Sequence, residues 1–275
     1  MIRLIATDVD GTIAADGSCE INPEYYTVIH ELRALGIQVA AASGRQKDSL
    51  LDLFAPVKEK IFYISNNGAG LGCWNRELYV QAMPSELIHE LMADVAKLPG
   101  CQMILSGVDT CFYSPETEEW FIRYLREDYH FEALPLPENM EEIDLSGIVK
   151  IAVYHDPSDT EPHPAVPLIQ KMEGRLSGMV SGREWVDFMA PGVSKGRALA
   201  CLQESLQIGP EETMVFGDQM NDISMLQRAV HSFAVGGARP EVKAAAAHIT
   251  APREEDGVLQ VWKKLADNQG EYQGE

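Results

Sequence analysis

Short apolar runs alternate with helix-like stretches along much of this chain. The runs 2–6, 37–40 and 214–216 are compact and largely aliphatic, and each is followed by small or polar residues. Such runs are typical of buried strands in a parallel sheet. Between them, stretches such as 23–35 and 46–54 place apolar residues at helical spacing. The alternation predicts an α/β protein in which crossover helices join the strands of a parallel sheet.

The pattern changes in the middle of the chain, from residue 82 onward. The elements predicted there are a helix over 84–98, strands over 101–106 and 110–113 joined by a hairpin turn at 107–109, a helix over 116–126, and strands over 148–154, 175–181 and 184–189. Proline-rich connections are predicted around 134–137 and 156–167. The earlier alternation returns at Ser194 and continues to about 266, and the polar end 267–275 is expected to fray. We therefore predict one sheet domain made of 1–81 and 188–275, interrupted by an inserted domain at 82–187.

Two carboxylates stand directly after the first predicted strand. Asp8 and Asp10 are one residue apart and are followed by Gly11 and Thr12. Ligands of open α/β sheets bind at the carboxyl ends of the strands, so these groups are placed where a ligand binds. Two neighbouring acids repel each other unless a cation or a shared proton relieves them, and Mg²⁺ is the natural cation for carboxylate oxygens. The alternative is an Asx-type turn, since Asp and Gly are common turn residues.

Related chemistry follows other predicted elements. A second acidic cluster comes after the run 214–216, a hydroxyl follows the run 37–40, and a lysine opens a predicted helix. Turn chemistry alone does not explain this combination. The residues concerned are Asp218, Asn221 and Asp222, then Ser43 with Gly44 and Arg45, and finally Lys195.

The haloacid dehalogenase superfamily has four motifs that resemble, in order, segments 8–12, 43–45, 194–196 and 217–222 of this chain. The residues of these motifs most resemble those of the Cof-like sugar-phosphatase branch. Segments 65–69 and 235–238 also resemble that branch, although it commonly has Asn where this chain has Gly237. Each motif alone is a weak signal, but the four in the correct order are specific. The resemblance covers all but the last few residues. It implies a Rossmann-like parallel-sheet core with an inserted α/β cap that closes over the active site.

The resemblance also implies a role for each matched residue. Asp8 is the expected nucleophile and Asp10 the expected general acid and base. Mg²⁺ is expected at the carboxylates of Asp8 and Asp218 and at the backbone carbonyl of Asp10. Ser43 is expected to donate a hydrogen bond to the phosphoryl group, and Lys195 to neutralise its charge. The expected supporting or phosphate-binding residues are Gly11, which lets the backbone approach closely, Gly44, Arg45, Asn221, which contacts phosphate or metal, and Asp222, which orients Lys195 or a metal-bound water.

We accordingly predict a Mg²⁺-dependent phosphatase that hydrolyses small phosphorylated metabolites through an aspartyl-phosphate, with sugar phosphates as the family expectation. A mutase of the phosphohexomutase type is the alternative, because it would use the same intermediate and return the phosphoryl group to the sugar. A halide-releasing enzyme is disfavoured, since a carbon–halogen bond needs no acid such as Asp10. A non-catalytic binding protein is also disfavoured, because no core motif residue is missing. Nucleotides, flavin mononucleotide and pyridoxal phosphate stay open as substrates, and so does the oligomeric state.

Composition narrows the class of partner. A formal net charge of −20 argues against nucleic acid, whose phosphates require basic patches. No apolar run approaches the ~20 residues that span a membrane, and Asp8 and Asp10 interrupt the region where a signal peptide is apolar. Five scattered cysteines without a CxxC pair indicate reduced thiols and a cytoplasmic protein. Residues 68–73 depart from a dinucleotide fingerprint at Cys73, and the Gly-Lys pair of a P-loop does not occur.

Overall fold

The chain folds into two compact units in a computed structural model that describes residues 1–107, 110–127, 133–137, 145–156, 162–181 and 183–272. Unit 1 comprises Met1–Tyr79 and Ser194–Glu275. Unit 2 is the continuous segment Val80–Val193. Each unit contains helices packed on a sheet, so the predicted α/β class is confirmed.

Strands and helices alternate along the described residues. The strands there are β1 (Leu4–Asp8), β2 (Gln38–Ala42), β3 (Ile61–Ser65), β4 (Gly70–Cys73), β5 (Arg76–Val80), β6 (Gln102–Gly107), β7 (Cys111–Tyr113), β8 (Leu134–Pro135), β9 (Ile148–Tyr154), β10 (Ser177–Val180), β11 (Trp185–Met189), β12 (Thr213–Gly217), β13 (His231–Ala234) and β14 (His248–Ile249). The α-helices there are α1 (Glu24–Ala34), α2 (Lys47–Leu53), α3 (Ser85–Val95), α4 (Glu119–Glu127), α5 (Val166–Lys171), α6 (Lys195–Leu206), α7 (Ile223–Leu226), α8 (Pro240–Ala245) and α9 (Gly257–Asp267).

Unit 1 is built on a sheet with the strand order β14-β13-β12-β1-β2-β3-β4-β5. The strands from β14 to β3 are parallel to their neighbours, and β4 pairs antiparallel with β3. The register places Asp8 opposite Ala42 across β1 and β2, and Thr7 opposite Phe216 across β1 and β12. The strands β12, β1 and β2 therefore end side by side, and the residues that come after them share one edge of the sheet.

The core of unit 1 lies on both faces of this sheet. On β1, Ile5 belongs to one core, whereas Leu4 and Ala6 belong to the other. Helices α1 and α9 cover the first face, where the rings of Trp262 and Tyr25 meet edge to face at 5.4 Å. Helices α6, α7 and α8 cover the second face. Burial on both faces explains why the β1 sequence is a nearly continuous apolar run.

Unit 2 has a sheet of its own with the strand order β10-β11-β9-β6-β7-β8. Neighbours from β10 to β7 are antiparallel, whereas β7 and β8 are parallel. Helices α3 and α5 pack on one face through Leu87, Leu91 and Leu168. Helix α4 packs a second cluster through Phe121 and Leu125. Unit 2 therefore has a hydrophobic core of its own.

Two predictions about local structure are wrong in part. The connection predicted around 134–137 contains β8, which pairs with β7. The connection predicted at 156–167 contains the start of α5, because Pro167 occupies the first turn of that helix, where its missing N–H is not needed. Residues 157–161 of that connection, and 108–109 of the predicted hairpin turn, lie outside the described residues.

The glycine-rich segment after β3 does not open a helix. Its residues Gly70–Cys73 form β4, which returns antiparallel to β3. A dinucleotide-binding turn presents the pyrophosphate with the N-terminus of a helix at this point. The backbone geometry therefore agrees with the sequence in setting that class of site aside here.

No described helix is long and apolar enough to cross a lipid bilayer. Each of the five cysteines is a reduced thiol: Cys19 is exposed, Cys111 is buried, and Cys73, Cys101 and Cys201 are partly exposed. Burial raises the pKa of the Cys101 thiol to about 11, so this group is protonated at neutral pH.

Candidate active site

Three adjacent strands bring predicted site residues to one edge of the unit 1 sheet. Asp8 is the last residue of β1, Ser43 follows the last residue of β2, and Asp218 follows the last residue of β12. Because these strands are parallel and adjacent, their carboxyl ends lie side by side. All three side chains are buried. The sequence places each residue at a strand end, and the strand order makes them neighbours.

Lys195 belongs to the first turn of α6 and reaches the same edge. Ser194 caps this helix by accepting a hydrogen bond from the Arg197 N–H at 3.1 Å. The Nζ of Lys195 lies 2.5 Å from Asp8 Oδ1 and 2.6 Å from Asp222 Oδ1. Burial alone would lower the pKa of Lys195, but the charges of Asp222 and Asp8 raise it above its ordinary value. Lys195 is therefore a permanent cation between two carboxylates.

Asp222 uses both of its carboxylate oxygens within the protein. Oδ1 accepts the hydrogen bond from Lys195, and Oδ2 accepts from the backbone N–H groups of Asp218 and Gln219 at 3.0 and 2.9 Å. These bonds shape the loop after β12 and hold the lysine. The sequence allowed Asp222 to orient either Lys195 or a metal-bound water, and the observed contact is with Lys195.

Three carboxylates converge beside this lysine. One oxygen each from Asp8, Asp218 and Asp222 lies within 4.8 Å of the other two. Burial and the negative charge of Asp222 raise the pKa of Asp8 well above its ordinary value, although Lys195 acts against the shift. Burial and the Asp222 charge also raise the pKa of Asp218, to about 6. Lys195 alone therefore leaves an excess of buried negative charge.

The carboxylate of Asp218 is oriented by two side chains and one glycine. The Thr12 hydroxyl donates to Asp218 Oδ1 at 2.8 Å, and the Gln219 amide donates to Oδ2 at 3.1 Å. A Cβ on Gly11 would lie 2.4 Å from Asp218 Oδ2, and the φ of Gly11 is +79°. Both facts require glycine at this position, because a side chain would collide with the carboxylate and would disfavour the backbone.

The excess of buried negative charge fits a divalent cation. The Oδ2 of Asp8 is buried and has no hydrogen-bond partner among the described residues. Leaving a buried polar group without a partner costs about 1–3 kcal/mol, which a bound cation would offset. Mg²⁺ prefers oxygen ligands and is usually held by one or two carboxylates. Since Asp222 is committed to Lys195 and backbone amides, Asp8 and Asp218 are the side chains that suit this ion.

Arg45 holds the carboxylate of Asp10. Its Nε lies 2.9 Å from Asp10 Oδ2 and its Nη2 lies 2.6 Å from Oδ1, which makes a two-point pair. The Gly17 N–H donates to Oδ1 at 3.0 Å, and the Ser43 hydroxyl donates to Oδ2 at 3.3 Å. Burial acts to raise the pKa of Asp10, but the hydrogen bond and charge of Arg45 outweigh it, so the net shift is downward. Asp10 is therefore ionised at neutral pH while Arg45 holds it.

The hydroxyl of Ser43 is also engaged within the protein. It donates to Asp10 and accepts a hydrogen bond from the Arg45 N–H at 3.0 Å. Arg45 Nη2 donates in addition to the backbone carbonyl of Ser18 at 2.7 Å, which links the loops after β1 and β2. The predicted bond from Ser43 to a phosphoryl oxygen therefore requires its hydrogen to leave Asp10.

Sequence reasoning assigned no role to three residues whose side chains bond to the side chains of predicted site residues. Thr12 and Gln219 are two of them, through Asp218. The third is Asn67, whose Oδ1 accepts from Asn221 Nδ2 at 3.0 Å. All three lie in the segments that come directly after the strand ends. That position is the signal by which the sequence could have marked them.

Comparison with known proteins identifies the family to which these motifs belong. A model of the haloacid dehalogenase-like hydrolases matches residues 5–261, which is nearly the whole chain. The chain belongs to this family. The family prediction made from the motifs is thereby confirmed, and so is the prediction that the protein is an enzyme.

The relatives of this haloacid dehalogenase-like hydrolase include phosphatases. The 5-amino-6-(5-phospho-D-ribitylamino)uracil phosphatase YbjI of Escherichia coli (strain K12) is 26% identical over 98% of each chain. The HMP-PP phosphatase of Escherichia coli O6:H1 is 24% identical and covers 90% of this chain and 89% of its own length. A protein from Eubacterium rectale with a known crystal structure is 38% identical in sequence. The match covers 96% of this chain and 99% of that protein's chain, and the two structures superpose with a TM-score of 0.86. The hydrolase is therefore of the phosphatase type.

Proposed function

We propose that this hydrolase is a Mg²⁺-dependent phosphatase that cleaves small phosphate monoesters through an aspartyl-phosphate at Asp8. The environment of the Asp8 side chain carries the proposal. Its Oδ1 is bound by the ammonium group of Lys195, whereas its Oδ2 is buried and has no hydrogen-bond partner among the described residues. One oxygen is therefore held in place, and the other is left for a ligand.

A carboxylate held in this way is suited to nucleophilic attack on phosphorus. Burial raises the pKa of Asp8, and the charge of Lys195 opposes that shift and favours the ionised form that attacks. In the first proposed step an oxygen of Asp8 bonds to phosphorus while the bond from phosphorus to the leaving-group oxygen breaks. Lys195 also offsets the repulsion between Asp8 and the incoming anionic phosphate.

Asp10 is the proposed proton carrier. It gives a proton to the leaving-group oxygen in the first step, and in the second it accepts a proton from the water that displaces Asp8 from phosphorus. Arg45 favours the ionised form of Asp10, so Asp10 must leave Arg45 to act as the acid. The ionised form that Arg45 stabilises is the form required of the base in the second step.

Asp8, Asp218 and the backbone carbonyl of Asp10 are the proposed ligands of Mg²⁺. When bound, the cation would balance the buried carboxylate charge and the charge of the phosphoryl group. Thr12 and Gln219 orient the Asp218 carboxylate toward this task through their hydrogen bonds.

We also propose that unit 2 is the cap and that the substrates are small phosphorylated metabolites, with sugar phosphates as the first class to examine. A continuous insertion with its own sheet and core supports the cap role, and its bounds, Val80–Val193, are close to the 82–187 expected from the sequence. The phosphorylated ribityl compound in the name of one relative supports the substrate class. The reduced cysteines support the cytoplasmic location expected from the sequence.

The proposal is tested by measuring the release of inorganic phosphate. The substrates are nitrophenyl phosphate and a panel of sugar phosphates, nucleotides, flavin mononucleotide and pyridoxal phosphate. The parent protein and Asp16→Asn, a control that replaces an exposed acid of the same loop, should turn over with Mg²⁺ and stop in chelator. Asp8→Asn should show neither turnover nor acid-trapped phosphoprotein. Full turnover in chelator would exclude the metal, and comparable turnover by Asp8→Asn would exclude the nucleophile. An isomer formed from a hexose phosphate without free phosphate would indicate a phosphomutase.

A further inference from the structure

The turn after β3 has an unusual backbone. Asn66 and Asn67 have φ angles of +49° and +57°, and Gly68 has a φ of +102°. The left-handed region is uncommon for residues other than glycine, and such residues persist only where their surroundings hold them, although Asn adopts it more readily than most. Both asparagines are buried. The contacts of this turn explain why the chain maintains it.

The backbone of the turn holds the loop after β2. The Asn66 N–H donates to the Arg45 carbonyl at 2.8 Å, and the Asn67 N–H donates to the Ser43 carbonyl at 3.0 Å. The Ser43 N–H in turn donates to the Ile64 carbonyl of β3 at 2.9 Å. These bonds tie down the segment that carries two side chains of the candidate site.

The same turn lies against the start of α6. A Cβ on Gly68 would lie 2.2 Å from the carbonyl oxygen of Ser194 and 2.9 Å from the backbone nitrogen of Lys195. A glycine is required for so close an approach of two backbones. The turn therefore helps to place the first turn of the helix that carries Lys195.

The side chain of Asn67 joins this turn to the loop after β12. Its Oδ1 accepts a hydrogen bond from Asn221 Nδ2 at 3.0 Å. That bond fixes one end of the Asn221 amide, whose Oδ1 is buried and without a hydrogen-bond partner among the described residues. On the other side, a Cβ on Gly44 would lie 3.2 Å from the same Asn67 oxygen. Asn67 thus contacts both loops that flank the end of β1.

We propose that Asn67 is a positioning residue of the phosphatase, which acts through Asn221. By binding Asn221 and bracing Gly44, it holds the loops after β2 and β12 in the arrangement that binds the phosphoryl group. This inference rests on the proposed function and deepens it. If the role of Asn67 were purely structural, replacing it would lower the stability of the fold. The effect of that substitution on activity would then be independent of a substitution at Asn221.

A double-mutant cycle between Asn67→Gly and Asn221→Ala tests the proposal. Glycine removes the Asn67 side chain but keeps the left-handed turn accessible, so the fold should be retained. Asn66→Gly is the matched control, because Asn66 has the same backbone conformation in the same turn and no bond to Asn221. The measurements are kcat and KM with a chromogenic ester, the affinity for inorganic phosphate by calorimetry, and the circular dichroism spectrum and thermal midpoint of each variant.

Asn67→Gly should lower both kcat/KM and phosphate affinity by about 10- to 100-fold, the usual cost of losing a partner that orients a functional group. The double variant should be within about 3-fold of Asn221→Ala, because the two residues act as one unit. Asn66→Gly should change either quantity by less than about 3-fold, and its effect should multiply with that of Asn221→Ala.

Two results would overturn the role of Asn67. One is an Asn67→Gly variant with unchanged phosphate affinity and kcat/KM, and the other is a double variant in which the losses of Asn67→Gly and Asn221→Ala multiply. If the parent protein hydrolyses no ester in Mg²⁺, the proposed function fails instead. The phosphate-affinity cycle then still decides the role of Asn67, because it does not depend on turnover.

Discussion

Replacing Lys195 with methionine tests the charge arrangement of the site directly. The ammonium group of Lys195 lies 2.5 Å from Asp8 and 2.6 Å from Asp222, and all three side chains are buried. Methionine keeps a flexible, unbranched side chain of similar length but removes the positive charge. In Lys195→Met two buried carboxylates therefore lose the cation that they share.

The expected loss of unfolding free energy depends on how many carboxylates are left without a cation. Breaking a buried ion pair by removing one partner costs about 3–5 kcal/mol, because the other charge is left uncompensated. Two carboxylates are left here, so we expect Lys195→Met to lose at least ~4 kcal/mol of unfolding free energy without divalent cations. The total for a domain is about 5–15 kcal/mol, so the loss is a large share of it. Lys195→Met combined with Asp222→Asn should recover part of the loss.

The size of this loss should depend on pH in a defined direction. Burial and the charge of Asp222 already raise the pKa of Asp8, and removing Lys195 raises it further. Below the ordinary pKa of 3.8 Asp8 is neutral in the folded and the unfolded chain, so Asp8 adds nothing to the cost of the missing cation there. Above its folded-state pKa, Asp8 is charged and its contribution to the cost is complete. The gap between variant and parent should therefore widen as the pH rises.

Urea unfolding in chelator, followed by circular dichroism at about pH 5 and about pH 8, measures these differences. Lys263→Met is the matched control, because Lys263 pairs with Glu24 on the surface and such exposed pairs contribute about 1 kcal/mol or less. A Lys195→Met protein within about 1 kcal/mol of this control at the higher pH would refute the shared pairing of Lys195 with Asp8 and Asp222. A gap that narrows with rising pH would refute the assignment to Asp8.

Three further predictions concern the loop after β1 and its contacts. Asp10→Asn should cost about 10²–10⁴-fold in turnover and more for a sugar phosphate than for nitrophenyl phosphate, whose leaving group needs no proton; equal losses with both esters would exclude the acid role. Gly11→Ala should destabilise the protein more than Gly17→Ala in thermal unfolding. Both glycines have φ near +75°, but only a Cβ on Gly11 would lie 2.4 Å from Asp218. Equal shifts in the thermal midpoint would contradict the close approach of Gly11 to Asp218. Thr12→Val removes the hydroxyl that donates to Asp218. The Mg²⁺ concentrations needed for half-maximal activity and for half-maximal binding by calorimetry should both rise by about 10-fold or more. Unchanged Mg²⁺ concentrations would show that this bond does not orient the Asp218 carboxylate.

Local sequence patterns determined most of the secondary structure. The helices expected over 23–35 and 46–54 are observed as Glu24–Ala34 and Lys47–Leu53, because helical spacing of apolar residues is a property of neighbouring positions. Prediction failed where the local signal is weak. The two-residue strand β8 has no periodicity to read, and helix α5 has in its first turn a proline that is equally typical of a loop.

The candidate site residues were likewise predictable from the sequence, because polar groups directly after apolar strands stand out. The contacts among them were not readable. Arg45 holds Asp10 across 35 positions, and Asn221 binds Asn67 across 154. The sequence allowed Asp222 either of two partners, and the fold supplies Lys195.

The physical reason for this division is the range of the forces that act. Propensity and hydrophobic period are set by residues close in the chain, so they specify the strands and the polar residues directly after each strand. The order β12-β1-β2 and the packing of α6 against the turn after β3 depend on burial over the whole of unit 1. The sequence by itself therefore determined which polar residues stand at the strand ends, and only the tertiary structure decided which carboxylate meets which cation.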